Sequence, residues 1–241
     1  NGFDAISASR FKYPVPNLLH FTIFTIDLKT SAAFSAAAAI AVGGAVKGAR
    51  NQLSEQSAPL AGLTAVFIFA VQMLNFPVAA GTSGHLIGAA LAMVLVGPYA
   101  ATLALVVVLI IQAFLFADGG LTALGLSIFN MAVISVWVSF GVFMLLKKIF
   151  PKTKSWLVIA TFVSALISVP AAAIGFVIQY AIGANATFSV GTVLNAMVGT
   201  HILIGIGEAI ITALTVSAVL ASRSDLVFGW ENKNIKLEIR S

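Results

Sequence analysis

The sequence predicts an all-α integral membrane protein, built as a compact bundle of about seven transmembrane helices. Hydrophobic residues make up 60% of the 241 positions and charged residues only 9%, whereas a soluble domain carries about 25% charged residues. The apolar runs are long and uninterrupted, which favours helices over the alternating strands of a membrane barrel. The 13 lysines and arginines are spread unevenly along the chain, and such asymmetry indicates how helices are oriented in a membrane.

Seven apolar segments are candidates for membrane spans. A helix needs roughly 20 apolar residues to cross the hydrocarbon core, with about 17 as a lower limit. The third segment is shorter, and Gly97 and Pro98 separate it from the fourth, so a partial crossing is one interpretation of it. The predicted spans cover residues 30–46, 58–76, 84–96, 99–116, 122–146, 156–180 and 190–221.

An odd number of spans places the two termini on opposite sides of the membrane. Basic residues concentrate on the cytoplasmic side of membrane proteins, so the more basic side is predicted to be inside. That side carries Lys47, Arg50, Lys147, Lys148, Lys152, Lys154, Arg223, Lys233, Lys236 and Arg240, and the other side carries Arg10, Lys12 and Lys29. The N-terminus is therefore expected outside and the C-terminus in the cytoplasm of a multi-pass protein of the cell membrane. The predicted divisions are an extension at 1–29, a bundle at 30–222 and a cytoplasmic tail at 223–241.

The predicted outer face collects the polar, irregular segments of the chain. The most unusual is NFPVAAGTSGH at 75–85, which places small polar residues and a histidine between two apolar runs. Neutral imidazole is the commonest protein ligand for nickel, cobalt, copper and zinc, so His85 is a candidate metal ligand. Thr82 and Ser83 are candidates to hydrogen-bond its ring. The alternative is a histidine that is hydrogen-bonded at the start of a helix.

Other polar residues near the same face are weaker candidates. His20 precedes the first span and is expected to lie outside, where it either meets His85 or sits at the membrane interface. Asn75, Asp118 and Asn130 are candidates to line the site or to hydrogen-bond the loops that carry its ligands, and Asp118 is equally well explained as a turn residue before two glycines.

Two ionisable residues, His201 and Glu208, fall inside the last predicted span. They are seven positions apart and therefore share one helical face. An ionisable group within a membrane segment is costly and is a functional candidate by default. Either they serve function, for example in a proton pathway, or they form a satisfied pair that locks helices together.

Small residues in the first span indicate close helix packing. Ala37 and Ala41 are four positions apart, as are Gly44 and Gly48, and such spacing lets helices approach backbone to backbone. This face suits either docking onto another membrane subunit or packing within the chain.

Patterns that would indicate an enzyme are missing. The chain has no cysteine, no GxxxxGK[ST] phosphate loop and no GxSxG or HExxH motif. We therefore predict that it is not an enzyme and holds no covalently bound cofactor.

Three stretches closely resemble blocks of the CbiM/NikM family: FAVQMLNFPVAAGTSGHLIGAALAMVLVGP, FADGGLTALGLSIFNMAV and VGTHILIGIGEAIITA. The tail SDLVFG is similar as well, so the resemblance covers roughly residues 50–229. These proteins are the substrate-binding membrane subunits of energy-coupling-factor transporters for cobalt and nickel. The resemblance implies a bundle of about seven helices and a divalent ion bound by nitrogen ligands at the outer face. It assigns the histidine of the GTSGH block, His85, as one of those ligands.

The N-terminal block departs from the family pattern. The resemblance places the other ligands at a chain start reading Met-His-Ile-Pro-Asp-Gly: the terminal amine and the amide and imidazole nitrogens of the histidine. Here the best match is LHFTIFTIDLKTS, with His20 in the place of that histidine. Thr22, Ile23 and Phe24 replace the proline, aspartate and glycine, and 18 residues precede Leu19.

Two functions follow from this comparison. In the first, the chain takes up Co²⁺ or Ni²⁺ as its substrate. It then works with a membrane coupling subunit and ATP-binding cassette ATPases, with or without a small accessory membrane subunit. In the alternative, a CbiM-like fold has lost metal transport and serves as a structural or accessory subunit of another membrane complex. Neither function involves nucleic acid.

Overall fold

The computed structural model describes residues 26–52, 57–73, 75–78, 82–116, 120–184 and 188–230. Its elements, in chain order, are α1 (Leu28–Gln52), α2 (Ser57–Gln72), β1 (Asn75–Val78), β2 (Thr82–His85), α3 (Ala89–Val96), α4 (Pro98–Leu115), α5 (Gly120–Ser127), a π-helix (Ile128–Ile134), α6 (Ser135–Ile149), α7 (Lys154–Gly183), α8 (Val190–Ser222) and a 3-10 turn (Ser224–Leu226).

Five helical runs in the described part of the chain are long and apolar enough to cross a membrane. They are α1, α4, the continuous run from α5 through α6, α7 and α8. This confirms the all-α class and the multi-pass membrane location. The α2 helix is also apolar but shorter, with 16 residues. The count of seven transmembrane helices and the orientation of the termini remain predictions.

Two predicted spans have the wrong boundaries. The second was expected to continue to residue 76 and the third to begin at residue 84, but Asn75–Val78 and Thr82–His85 form an antiparallel hairpin. Proline cannot donate a backbone hydrogen bond and biases the residue before it towards extended backbone, so Pro77 ends helical geometry after α2. The hairpin separates α2 from α3, and the chain becomes helical again only at Ala89.

The short helix α3 lies at the centre of the bundle. All eight of its residues are buried, and it packs against α2, α4, α6, α7 and α8. Eight residues rise only about 12 Å, which is too short to cross a membrane. The third predicted span is therefore a core helix, reached from one side by the hairpin.

The connections give the bundle two distinct ends. The hairpin end contains the starts of α1 and α8 and the ends of α2, α4 and α7. The tail end contains the ends of α3, α6 and α8, and there residues 223–230 fold back under α3. The backbone N–H groups of Phe228 and Gly229 donate to the Leu95 and Val94 carbonyls at 3.2 and 3.3 Å. The Lys147 ammonium donates to the Gly229 carbonyl at 2.9 Å, and Lys154 donates to Leu220 at 2.8 Å.

The small residues of α1 pack within the chain on a neighbouring stripe. Ala38, Ala45 and Ala49 are buried, and a Cβ at Gly48 would collide with the Tyr99 ring. Ala37 and Ala41 are half-buried, and Gly44 is exposed with no neighbouring atom where a Cβ would stand. Of the four predicted residues, Gly48 has a close internal contact, and a docking role for the others remains a prediction.

Candidate metal site

His85 ends the second strand of the hairpin and is half-buried. Its Nδ1 lies 2.8 Å from the Leu86 carbonyl oxygen. A carbonyl oxygen only accepts hydrogen bonds, so Nδ1 carries the proton. In a neutral ring Nε2 then keeps its lone pair. A backbone bond of this kind fixes the tautomer and the ring orientation of a metal-binding histidine.

The segment after His85 is fastened to two helices. The Ile87 and Gly88 N–H groups donate to the two carboxylate oxygens of Glu208 on α8, at 2.6 and 3.0 Å. From the other side, Gln72 Nε2 at the end of α2 donates to the Ile87 carbonyl at 2.7 Å. These bonds hold the three residues between His85 and α3 in a defined position.

Gly88 allows this segment to turn into α3. Its φ is 76°, a left-handed conformation that L side chains rarely adopt, and a Cβ there would stand 2.9 Å from Ile68 Cγ1. The turn brings its N–H towards Glu208, so that the carboxylate accepts from donors at the start of α3 that have no partner within the helix.

His201 lies on the same face of α8 as Glu208 and is buried. Its Nδ1 is 2.7 Å from the Met197 carbonyl, so it also carries the proton on Nδ1. His201 and Glu208 therefore bond to different groups: His201 to the Met197 carbonyl, and Glu208 to the segment that follows His85.

Several predicted residues are only partly placed. His20 and Asp118 lie outside the described residues. Asn75, Thr82 and Ser83 are described as backbone only: Asn75 lies opposite His85 in the hairpin register, and Ser83 and Thr82 lie opposite Pro77 and Val78. Within the described part of the chain, no cluster of three or more metal-binding side chains occurs.

The side-chain amide of Asn130 is hydrogen-bonded to another helix. It lies in the π-helix and is buried, and its side-chain amide exchanges two hydrogen bonds with Gln179 of α7, at 2.8 and 3.0 Å. A Cβ at Gly175 would stand 2.7 Å from Asn130 Oδ1, so this glycine makes room for the pair. The structure thus gives Asn130 a helix-to-helix bond, and its predicted part in the site remains untested.

Sequence reasoning missed two residues that support this region, Gln72 and Asp27. The Asp27 carboxylate accepts from the Thr30 N–H at 2.7 Å at the start of α1, and the Asp27 N–H donates to Gly183 at 2.7 Å. The bond from the Thr30 N–H holds the pKa of the Asp27 carboxyl below its usual range. An aspartate three residues before a threonine at the start of an apolar run is a recognisable helix start. That pattern would have moved the predicted start from residue 30 to α1's first residue, Leu28.

A family model described as the cobalt uptake substrate-specific transmembrane region, CbiM, matches residues 20–226. The chain belongs to the CbiM family. A relative from Haloquadratum walsbyi, described as a metal transport protein, is 34% identical over 225 residues, covering 92% of this chain and 100% of the relative. A fused nickel transport protein, NikMN, of Rhodobacter capsulatus is 34% identical over 189 residues, covering 73% of this chain and 54% of that longer protein.

Solved structures agree with the CbiM assignment. A crystal structure of a truncated transition metal transporter has a TM-score of 0.75 and 31% identity, covering 81% of this chain and 95% of that one. A second transition metal transporter has a TM-score of 0.77 and 27% identity, covering 95% and 99%. Membership of a cobalt and nickel transport family confirms the predicted resemblance and the prediction that the chain is not an enzyme.

Proposed function

We propose that this chain is the metal-binding membrane subunit of an energy-coupling-factor transporter that takes up Co²⁺ or Ni²⁺. The observation that carries the proposal is the state of His85. Its Nδ1–H is bonded to the Leu86 carbonyl, which leaves Nε2 as a metal ligand. Nitrogen ligands suit nickel and cobalt better than magnesium or calcium, which prefer oxygen.

The distribution of charge supports an outward-facing site. The described basic residues at the tail end are Lys47, Arg50, Lys147, Lys148, Lys152, Lys154 and Arg223, and Lys29 is the described basic residue at the hairpin end. Because basic residues favour the cytoplasmic side, the tail end faces the cytoplasm and the hairpin end, with His85, faces outside.

The partners follow from what the chain lacks and from its relatives. Its sequence has no phosphate-binding loop for ATP hydrolysis, so a coupling subunit and ATPase subunits would supply the energy. The fused nickel transport protein of Rhodobacter capsulatus is longer than this chain, which fits a system in which further membrane parts accompany the CbiM region. On α1, the half-buried Ala37 and Ala41 and the exposed Gly44 form the surface on which we would place the coupling subunit.

Elemental analysis of the purified chain after loading with Ni²⁺ or Co²⁺ tests the proposal. Wild type is expected to retain one ion per chain, and His85→Ala is expected to retain none. Thr215→Ala is the control, because it removes only an exposed side-chain bond on α8. Equal metal retention by wild type and His85→Ala would refute the role of His85. Absence of metal from wild type would favour the alternative of a structural or accessory subunit.

A further inference from the structure

We infer that the turn between α6 and α7 binds the headgroups of anionic phospholipids through Lys148 and Lys152. The inference does not depend on metal binding, so the two proposals can fail separately. Three observations carry it: the excess of cations at the tail end, the two lysines of this turn that no described residue binds, and a membrane-facing apolar surface of α6 that ends beside these lysines.

The tail end is strongly basic in the described part of the chain. Asp225 is the one acidic residue described there, and its carboxylate forms an exposed ion pair with Arg223 at 2.8 Å. The described basic residues of this end are Lys47, Arg50, Lys147, Lys148, Lys152, Lys154 and Arg223. Positive charge beside a membrane attracts anionic lipid headgroups, and this end carries more of it than its own acid can neutralise.

The four lysines of the turn are of two kinds. The Lys147 and Lys154 ammonium groups donate to backbone carbonyls of the tail and of α8, at 2.9 and 2.8 Å, so both are used within the chain. Lys148 and Lys152 are exposed, and neither has a hydrogen bond or ion pair to any residue that the structure describes. Two cations of the same turn are therefore available to an anion outside the chain.

The position of Lys148 on α6 places it where the apolar surface of the helix stops. Leu145 and Ile149 are 58% and 63% exposed and lie one turn apart on a run that is long and apolar enough to cross a membrane, so their side chains face lipid. Lys148 follows Leu145 by three positions and shares that face, and α6 ends at Ile149. A lipid beside α6 would lay its acyl chains against Leu145 and its headgroup against Lys148.

The turn that carries Lys152 is held in a defined shape. The Phe150 and Trp156 rings stack across it, with centroids 4.4 Å apart and planes 9° apart, and the Thr153 N–H donates to the Pro151 carbonyl at 2.9 Å. Tryptophan is enriched at the boundary between membrane and water. Because Lys152 lies inside this ordered turn, less conformational freedom is lost when it binds a headgroup.

The apolar neighbours of the lysines favour a lipid over an acidic surface of another protein. Ile149 and Phe150 lie between Lys148 and Lys152, and both are exposed. A lipid offers an anionic group and hydrocarbon side by side, which matches cations and apolar side chains that alternate within five residues. An acidic protein surface would match only the cations.

Native mass spectrometry of the full chain in detergent micelles tests the inference, with phosphatidylglycerol as the anionic probe and phosphatidylcholine as the uncharged one. Wild type is expected to bind phosphatidylglycerol at least about 10-fold more tightly than phosphatidylcholine. Lys148→Gln and Lys152→Gln should each weaken phosphatidylglycerol binding by about 5-fold, and the double variant by about 25-fold, with phosphatidylcholine binding unchanged. Both lysines are exposed, so these replacements leave the core packing intact.

Arg223→Gln is the matched control. It removes one positive charge from the same end, but from a cation that Asp225 already binds, so phosphatidylglycerol binding should be unchanged. Equal losses in Arg223→Gln and Lys148→Gln would overturn the inference, because overall charge and not this turn would then set the affinity. Equal affinity of wild type for the two lipids would also overturn it, and would leave an acidic protein surface as the partner. Neither result would alter the expected role of His85.

Discussion

The two ends of α3 are completed by distant parts of the chain in different ways. At the start, two backbone N–H groups are held by one side chain, Glu208, about 120 residues away in sequence. At the other end, the Leu95 and Val94 carbonyls accept from the backbone of Phe228 and Gly229. A fully buried helix must satisfy both ends, because an unpaired backbone group in the core is costly.

The two ends of α3 therefore differ in how far they depend on a single side chain. At the tail end both bonds come from main-chain N–H groups, so neither bond depends on the functional group of one side chain. The other end depends on a single carboxylate, Glu208, which binds the N–H group of Ile87, two residues after His85. The part of α3 that faces the candidate site is therefore the part most sensitive to one substitution.

The largest effect is expected from removing that carboxylate. Glu208→Ala leaves the Ile87 and Gly88 N–H groups buried without acceptors, at about 1–3 kcal/mol each, so the free energy of unfolding should fall by about 2–6 kcal/mol. Glu208→Gln keeps one acceptor oxygen and should lose roughly half as much. Chemical denaturation in detergent measures both, with Thr215→Ala as the control. A loss below about 1 kcal/mol in Glu208→Ala would show that the two hydrogen bonds to this carboxylate contribute little to stability.

A smaller effect is expected at the turn into α3. Gly88→Ala forces a side chain into a left-handed conformation and against Ile68, which should cost about 1–3 kcal/mol of unfolding free energy. Thermal unfolding in detergent measures it. Gly43→Ala is the matched control: this glycine is helical and exposed with no atom near its Cβ position, so alanine should be neutral or stabilising by up to about 1 kcal/mol. Equal melting temperatures for the two variants would contradict the strain argument.

The smallest effect is expected at the tail. Lys147→Met keeps the aliphatic part of the side chain but removes the bond to the Gly229 carbonyl, which should cost about 0.5–1.5 kcal/mol of unfolding free energy. The exposed neighbour Lys148, changed to methionine in parallel, controls for the loss of charge. If Lys147→Met destabilised the protein as much as Glu208→Ala, the distinction between the two ends of α3 would fail.

The helices were largely predictable from the sequence, and the hairpin was not. Long apolar runs identify α1, α4, α7 and α8 because a run of about 20 apolar residues is long enough to cross a membrane as a helix. The run NFPV is apolar and adjoins α2, and a short apolar run does not distinguish a strand from the end of a helix. Only Pro77 indicated that helical geometry ends before this run. The core position of α3 depends on its contacts with five other helices, which no local sequence pattern predicts.

The candidate site was predictable in part. His85 was found because polar residues interrupt an apolar stretch, and His201 and Glu208 because charge is rare in such helices. The partners of Glu208 could not be found, since they are backbone N–H groups and every residue except proline has one. Gln72 was missed for a related reason: its amide binds the Ile87 carbonyl, and nothing in a sequence marks which carbonyl a side chain will select.

The central position of α3 has a consequence for how cargo is delivered. The helix occupies the axis of the bundle, and the tail folds across its far end. The packed side chains of α3 therefore fill the part of the bundle that lies beyond His85 along that axis. If an ion binds beside His85, as we propose, a straight path along that axis would be blocked, and its release would require some of these packed elements to move.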